Sequence, residues 1–343
     1  PPRSTLFPYT TLFRSQLRLR PTKRCERCHS HLHAVFALHT ASPAILPFGP
    51  GIPAFARELM ALSVERLLAN PDLHETVQDQ SRALLRVNEE SPRLAAVFGT
   101  QQRWLLGHLA MSHHFQEVAR GNPEPVILMA RFLEQVKTLG ISSVNTADAF
   151  IKEMLVYGIA RHGQTPDRRN RPFVPAPITI AATRRWVFIH LTSLDRLDGG
   201  NRLDAFEADE TVLPRLHPEI TSRAMVSQEI RTPPKTWSLF TWLNNGGIVM
   251  DWLMVGVNPV DPAVERVPTQ VRSVPELAEN FRLSRTHLTR KLREAEAIGS
   301  VGWEGNRGRS TMWISRDFLQ EYLATQAVKL AVIDAACEAI GLR

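Results

Sequence analysis

Cysteine is scarce: the chain of 343 residues has three, at positions 25, 28 and 337. So few supports no disulfide framework, and a reducing cytoplasm is the expected compartment. Long apolar runs are missing as well. The best candidate, Gly246–Val257, is 12 residues long and contains Asp251, whereas a transmembrane helix needs about 20. No membrane partner is therefore expected. There is no glycine-rich phosphate loop, no nucleophile elbow and no spaced carboxylate pair, so neither an enzyme nor a cofactor is anticipated. His108, His113 and His114 share one helical stretch, but their spacing misses the i, i+4 pattern of helical metal ligands. They are read as ordinary helix histidines, and no metal site is expected.

The hydrophobic content of 43% is that of a folded globular protein. A net charge of +7 points toward nucleic acid, but its distribution matters. Residues 1–50 hold seven Lys or Arg against one Glu, so 51–343 carry 34 basic and 33 acidic side chains. The body is nearly neutral, and a DNA surface has to be a local patch. The string Thr5–Ser15, "TLFPYTTLFRS", resembles the conceptual translation of a sequencing-adapter oligonucleotide, and no Met precedes Met60. Residues 1–15 are expected to be foreign to the native protein, and 16–50 carry no weight in the fold. This matters because 16–50 contain Cys25-x-x-Cys28-His29, the spacing of c-type haem attachment. With His31 and His33 the same stretch could supply zinc ligands. Haem attachment needs export, and Ala34–Leu38 is too short an apolar core for a signal peptide. The motif is read as chance. Cys337, in "IDAACEAIG", reads as a small core residue.

Beyond residue 50 the pattern is helical. Amphipathic stretches fill 51–100, punctuated by Pro71 and Pro92. Helices are expected over Gln101–Ala119, Pro125–Thr138, Ser143–Tyr157 and about Thr179–Leu197, the last stopped by Gly199-Gly200. A polar, proline-rich hairpin separates the last two. A helical connector runs to about Ile230, and "RTPPKT" reads as a linker. Trp237, Phe240, Trp242 and Trp252 follow in one cluster, read as core packing, with an effector pocket as the alternative.

The segment Glu276–Gly299, "ELAENFRLSRTHLTRKLREAEAIG", is the most informative. Ser273 and Glu276 form a capping box with Pro275 in the first turn. "RLS" is a tight turn, and Ser284 caps the next helix. Leu288, Leu292, Ala295 and Ile298 recur at helical spacing as a buried stripe. Arg285, Thr286, Thr289, Arg290 and Arg293 then face outward. Two short strands around "EGNRGRS" make a wing carrying Arg307 and Arg309. Helix, short turn and helix is the helix-turn-helix arrangement, whose second helix enters the major groove. From Arg272 to Arg316 there are nine Lys or Arg and five Glu, a local excess of positive charge. The bland alternative is a solvated basic helix.

The middle of the chain repeats the plan. With Gly158 aligned on Gly299, Ser143 falls on Ser284, and Ala147, Ile151 and Met154 fall on Leu288, Leu292 and Ala295. The outward set is then Val144, Asn145, Asp148, Ala149 and Lys152. Residues 101–198 resemble the winged-helix domain of the MarR family of regulators. The resemblance rests on the helix Ser143–Tyr157, Gly158-Ile159, the wing tripeptide Asp167-Arg168-Arg169, and the long helix after it. It implies that Asp167 orients the wing and Arg168 enters the minor groove, with Arg169 beside it. Asp148 departs from a DNA-binding face. The second copy lacks Asp-Arg-Arg and resembles winged-helix bacterial regulators in general.

The expected fold is mainly α, with two winged helix-turn-helix modules, small β-wings and helical connections. The expected organisation is 1–50 outside the fold, 51–100 N-terminal helices, 101–200 the first module, 201–235 a connector and linker, and 236–343 the second module. The expected function is a sequence-specific transcriptional regulator. Its expected partner is double-stranded DNA, with room for a small-molecule effector, and it acts as a two-module monomer or a homodimer. Candidate contacts are Arg285, Thr286, Thr289, Arg290, Arg293, Arg307 and Arg309 in the second module. In the first they are Asn145, Lys152, Arg168 and Arg169. A plasmid-type replication initiator and a non-DNA interaction module are the competing readings.

Overall fold

The structure, a computed structural model, describes residues 62–164, 170–241, 246–258 and 263–343, all within the compact unit Ile52–Arg343. The Cys25–His33 motif, the tripeptide Asp167-Arg168-Arg169 and Trp242 lie outside the described residues. The described chain is mainly α-helical with two small antiparallel sheets.

It opens with α1 (Val64–Leu68), α2 (Leu73–Glu90) and α3 (Pro92–Val97). Next come α4 (Gln101–Ala119), α5 (Met129–Thr138) and α6 (Val144–Val156), and a hairpin of β1 (Ala160–His162) and β2 (Phe173–Pro175). The long α7 (Pro177–Asp198) ends at Gly199, whose φ of 72° is the left-handed stop that a glycine supplies. Three helices connect: α8 (Arg202–Ala208), α9 (Val212–Val226) and α10 (Gln228–Arg231). The remainder is α11 (Lys235–Thr241), α12 (Gly246–Val255), β3 (Arg266–Pro268), α13 (Val274–Asn280), α14 (Arg285–Ala297), β4 (Val301–Trp303), β5 (Met312–Ser315) and α15 (Arg316–Ala339).

Residues 101–198 and 246–339 follow one plan of helix, pairing segment, helix, helix, hairpin and long helix. In the later copy the sheet has the order β3-β5-β4. In the earlier copy a single residue plays the part of β3: Ile127 exchanges both backbone hydrogen bonds with Phe173, at 2.9 and 3.0 Å. The closing hydrogen bonds also repeat. Ile159 N donates to Met154 O and Ala176 N to Ile159 O; correspondingly, Ser300 N donates to Ala295 O and Ser315 N to Ser300 O. The helices α6 and α14 both stop at a left-handed glycine, Gly158 (φ 68°) and Gly299 (φ 77°).

Three details depart from the spacing-based expectation. The helix expected from Pro125 starts at Met129, because Ile127 is engaged in the sheet. β3 occupies what reads as a loop. Ile298 is exposed rather than buried, because it follows the last turn of α14 as its C-cap.

Two apolar cores result. One joins α4, α5, α6 and the β1–β2 hairpin, closed by Ala224, Met225 and Ile230 of the connector. The other joins α2, α7 and α9 with the whole later copy. Of the N-terminal helices, α1 and α2 thus pack with the second copy, as does the end of α7, while Leu94 of α3 joins the first core; sequence order does not reveal this. Trp237 and Phe240 are buried in this core. An ionic knot seals it: the guanidinium of Arg202 reaches Asp195 (3.1 Å), Asp198 (2.7 Å) and Asp334 (2.6 Å), tying α7, α8 and α15 together.

Candidate nucleic-acid interface

α13 and α14 are positioned by their caps and their buried faces. Ser273 Oγ accepts from Glu276 N, and Ser284 Oγ accepts from His287 N. Between the helices, Arg282 adopts φ 52°, and Leu283 N bonds Ala278 O at 2.8 Å, closing the tight turn. Leu277, Ala278 and Phe281 of the first helix and Leu288, Leu292 and Ala295 of the second are buried. Burial of side chains spaced at 3.6 residues fixes the rotation of α14 about its axis. Arg285, Thr286, Arg290 and Arg293 are exposed and Thr289 is half-buried. Arg290 approaches Glu294 only at 3.8 Å, while Lys291 takes Glu294 at 2.7 Å. The Arg290 head is thus left largely to solvent, on the outward side of the helix.

The hairpin β4–β5 stands beside α14. Glu296 near the end of α14 accepts from Trp303 Nε1 at 2.9 Å and from Arg307 Nε at 2.9 Å. Arg307, though exposed like Arg309, is therefore an anchor of the hairpin loop. Gly302 is required opposite Trp313 in the antiparallel β4–β5 pair: a Cβ there would run into the Trp313 ring. Arg266 places its guanidinium carbon 4.9 Å from the centre of the Trp313 ring.

The earlier copy has the same scaffold and a different face. Ser143 Oγ accepts from Thr146 N at 3.1 Å, and Ala147, Phe150, Ile151 and Met154 are buried. Of the outward set, Asp148 takes Lys152 at 2.6 Å and Arg171 at 3.0 Å. The hydrogen bond from Lys152, and then that from Arg171, hold the Asp148 carboxyl below its ordinary pKa. Lys152 is thus committed within the chain, and Asn145 stands exposed next to this closed ion cluster. Sequence spacing places Asp148 and Lys152 on one helix face, but nothing in it brings in Arg171, which arrives from across the hairpin.

The histidines of α4 belong to the interior. Burial pushes His108 down to about 3 and His113 down to about 4. His108 Nδ1 lies 3.1 Å from His217 Nε2, with the rings stacked. Among the described residues no cluster of three or more His, Cys, Asp or Glu could hold a metal ion. Also among them, no helix is long and apolar enough to cross a membrane. Comparison with protein-family models, with curated proteins and with solved structures yields no match.

Proposed function

We propose that the chain is a sequence-specific DNA-binding transcriptional regulator built on two winged helix-turn-helix modules, the second of which reads the base sequence. The observation that carries this reading is the outward face of α14. Arg285, Thr286, Arg290 and Arg293 project from a helix whose opposite side is locked in a core, beside a hairpin held to that helix through Glu296. A helix fits the major groove, and residues near its N-terminus reach base edges. Arg grips guanine through two hydrogen bonds, and Thr bonds bases or meets a thymine methyl. The N-terminus of α14 adds favourable potential for a phosphate.

The first module is MarR-like in plan, and Arg168 and Arg169 are its proposed wing contacts. Its helix face is quieter, because Asp148 absorbs Lys152 and Arg171. This favours a division of labour in which α14 supplies specificity and the first module supplies a wing and a wall of the interior. The same ion cluster supports a second reading for the first module alone, as an interaction module without DNA contact. The plasmid-type replication initiator would share the DNA face and differ in binding repeated origin sites. The test is selection of the full chain against a random duplex library. Enrichment of a defined site supports the reading; retention of duplex without enrichment, or none at all, contradicts it.

A further inference from the structure

A cavity of about 270 Å³ lies among α2, α4, α7, α12 and α15. We propose that it binds a small, planar, uncharged molecule with a hydroxyl or N–H edge, and that occupancy sets the DNA affinity of the second module. The second clause rests on the DNA-binding reading above; the first does not.

The walls give the body of the ligand. Trp104 and Trp186 stand with ring centres 6.2 Å apart, and Phe98, Met111, Leu84 and Ile248 complete an apolar lining. Apolar, aromatic enclosure with few polar groups is the usual make-up of a small-molecule site. Space is left by a missing side chain: no described atom lies within 4 Å of where a Cβ on Gly247 would sit, and Gly247 lines the cavity.

The polar groups give the edge and the charge. Lys329 and Asp251 both line the cavity. They attract one another without direct contact; Lys329 instead donates to Gln326 at 3.1 Å, and Asp251 accepts from Tyr322 and Ser81. A ligand hydroxyl between them would accept from the ammonium and donate to the carboxyl. Asn88 also lines the cavity, is 7% exposed, and its Oδ1 is buried without a hydrogen-bond partner. A buried acceptor left unpaired is costly, so a donor is favoured beside it. The opposite charges of Lys329 and Asp251 offset each other, and burial keeps His108 and His217 neutral. Neither an anion nor a cation gains from entering, which selects an uncharged molecule.

Position gives the consequence. Trp104 and Met111 belong to α4 and Trp186 to α7, in the first copy; Gly247, Ile248 and Asp251 belong to α12 and Lys329 to α15, the helices that open and close the second. A molecule wedged among them favours one setting of α12 and α15 over others. The path to α14 is α15, which follows directly from the hairpin that Glu296 ties to α14, and linkage makes any such coupling reciprocal.

The probe is 2-naphthol, a planar bicycle with one hydroxyl, titrated into the full chain without DNA and followed by tryptophan fluorescence and calorimetry. The expected result is saturable one-to-one binding that Gly247→Phe, by filling the space, weakens about tenfold or more. Lys329→Met keeps the apolar stem and removes the charged donor, and is expected to weaken binding about tenfold, the worth of one charge-assisted hydrogen bond. It serves where Gly247→Phe does not fold. Absence of saturable binding, or equal binding by wild type and a folded variant, overturns the site. With the selected duplex present, 2-naphthol is expected to shift the DNA affinity of wild type and not of Gly247→Phe. Saturable binding with unchanged DNA affinity overturns the coupling. A ligand-free chain that selects no duplex overturns the DNA reading alone, since the first titration contains no DNA.

Discussion

Replacing His190 by Phe should make the protein markedly less sensitive to mild acid. His190 lies on α7 and is fully buried; its Nδ1 is 2.8 Å from Trp186 O, and its Nε2 has no partner. A second proton on Nε2 would therefore be buried and unpaired. Burial, with repulsion from Lys329 second, brings the ring from the ordinary 6.5 down to about 3. The sign follows from linkage. A histidine with a depressed folded pKa contributes stability above the unfolded value, and that contribution is lost as pH falls toward the folded one. Between pH 7 and pH 5 the unfolded chain takes up the proton and the folded chain does not. At about 1.4 kcal/mol per pH unit, the loss from this one ring is about 2 kcal/mol. The measurement is the guanidinium midpoint of wild type and His190→Phe at pH 7, 6 and 5. The wild-type midpoint should fall further, and the gap between the two should change by the equivalent of about 2 kcal/mol. Parallel curves would refute the reasoning.

Asp251 should show the opposite sign. Burial raises its carboxyl from 3.8 to about 6 against the hydrogen bonds of Tyr322 and Ser81. Its contribution is fully present below the unfolded value and is lost as pH rises through the folded one. Asp251→Asn should therefore gain about 2 kcal/mol on wild type between pH 4 and pH 7, read as the change in their stability difference. Gly302→Ala should cost about 1–3 kcal/mol by driving a Cβ against Trp313, measured by thermal unfolding, with loss of DNA affinity through the displaced hairpin. Asp148→Asn releases Lys152 and Arg171; it should steepen the salt dependence of DNA binding by about one charge, and an unchanged slope would mean that the first module does not touch DNA.

Much of the segment from Ser273 to Gly299 was legible because its determinants are local. Ser273, Ser284 and the Leu288–Leu292–Ala295 stripe declare two helices within one short segment. Gly158 and Gly299 end their helices at a positive φ that favours glycine. The strands were harder. Ile127 carries no period, since its pairing is with the distant Phe173, and β3 is three residues long with one buried side chain, Val267. The outward face of α14 could be read from spacing, but its neighbours could not. Spacing does not relate Arg307 to Glu296 or Arg171 to Asp148; the fold brings each pair together. Trp237 and Phe240 supply core, while the cavity is lined by Trp104 and Trp186, which sequence order keeps far apart.

The central claim is that α14 reads bases, and Arg290 tests it most directly. Its guanidinium is largely exposed, at 64% of the side chain, and only loosely held at 3.8 Å from Glu294. A bidentate base contact discriminates by about 1–3 kcal/mol. Wild type and Arg290→Ala are to be titrated against the selected duplex and a scrambled one at the same salt concentration. The account expects a loss of about tenfold or more on the selected duplex and a much smaller loss on the scrambled one. Equal losses on both would reduce Arg290 to a phosphate contact, and no loss on either would leave the basic face of α14 a solvated surface and contradict the account.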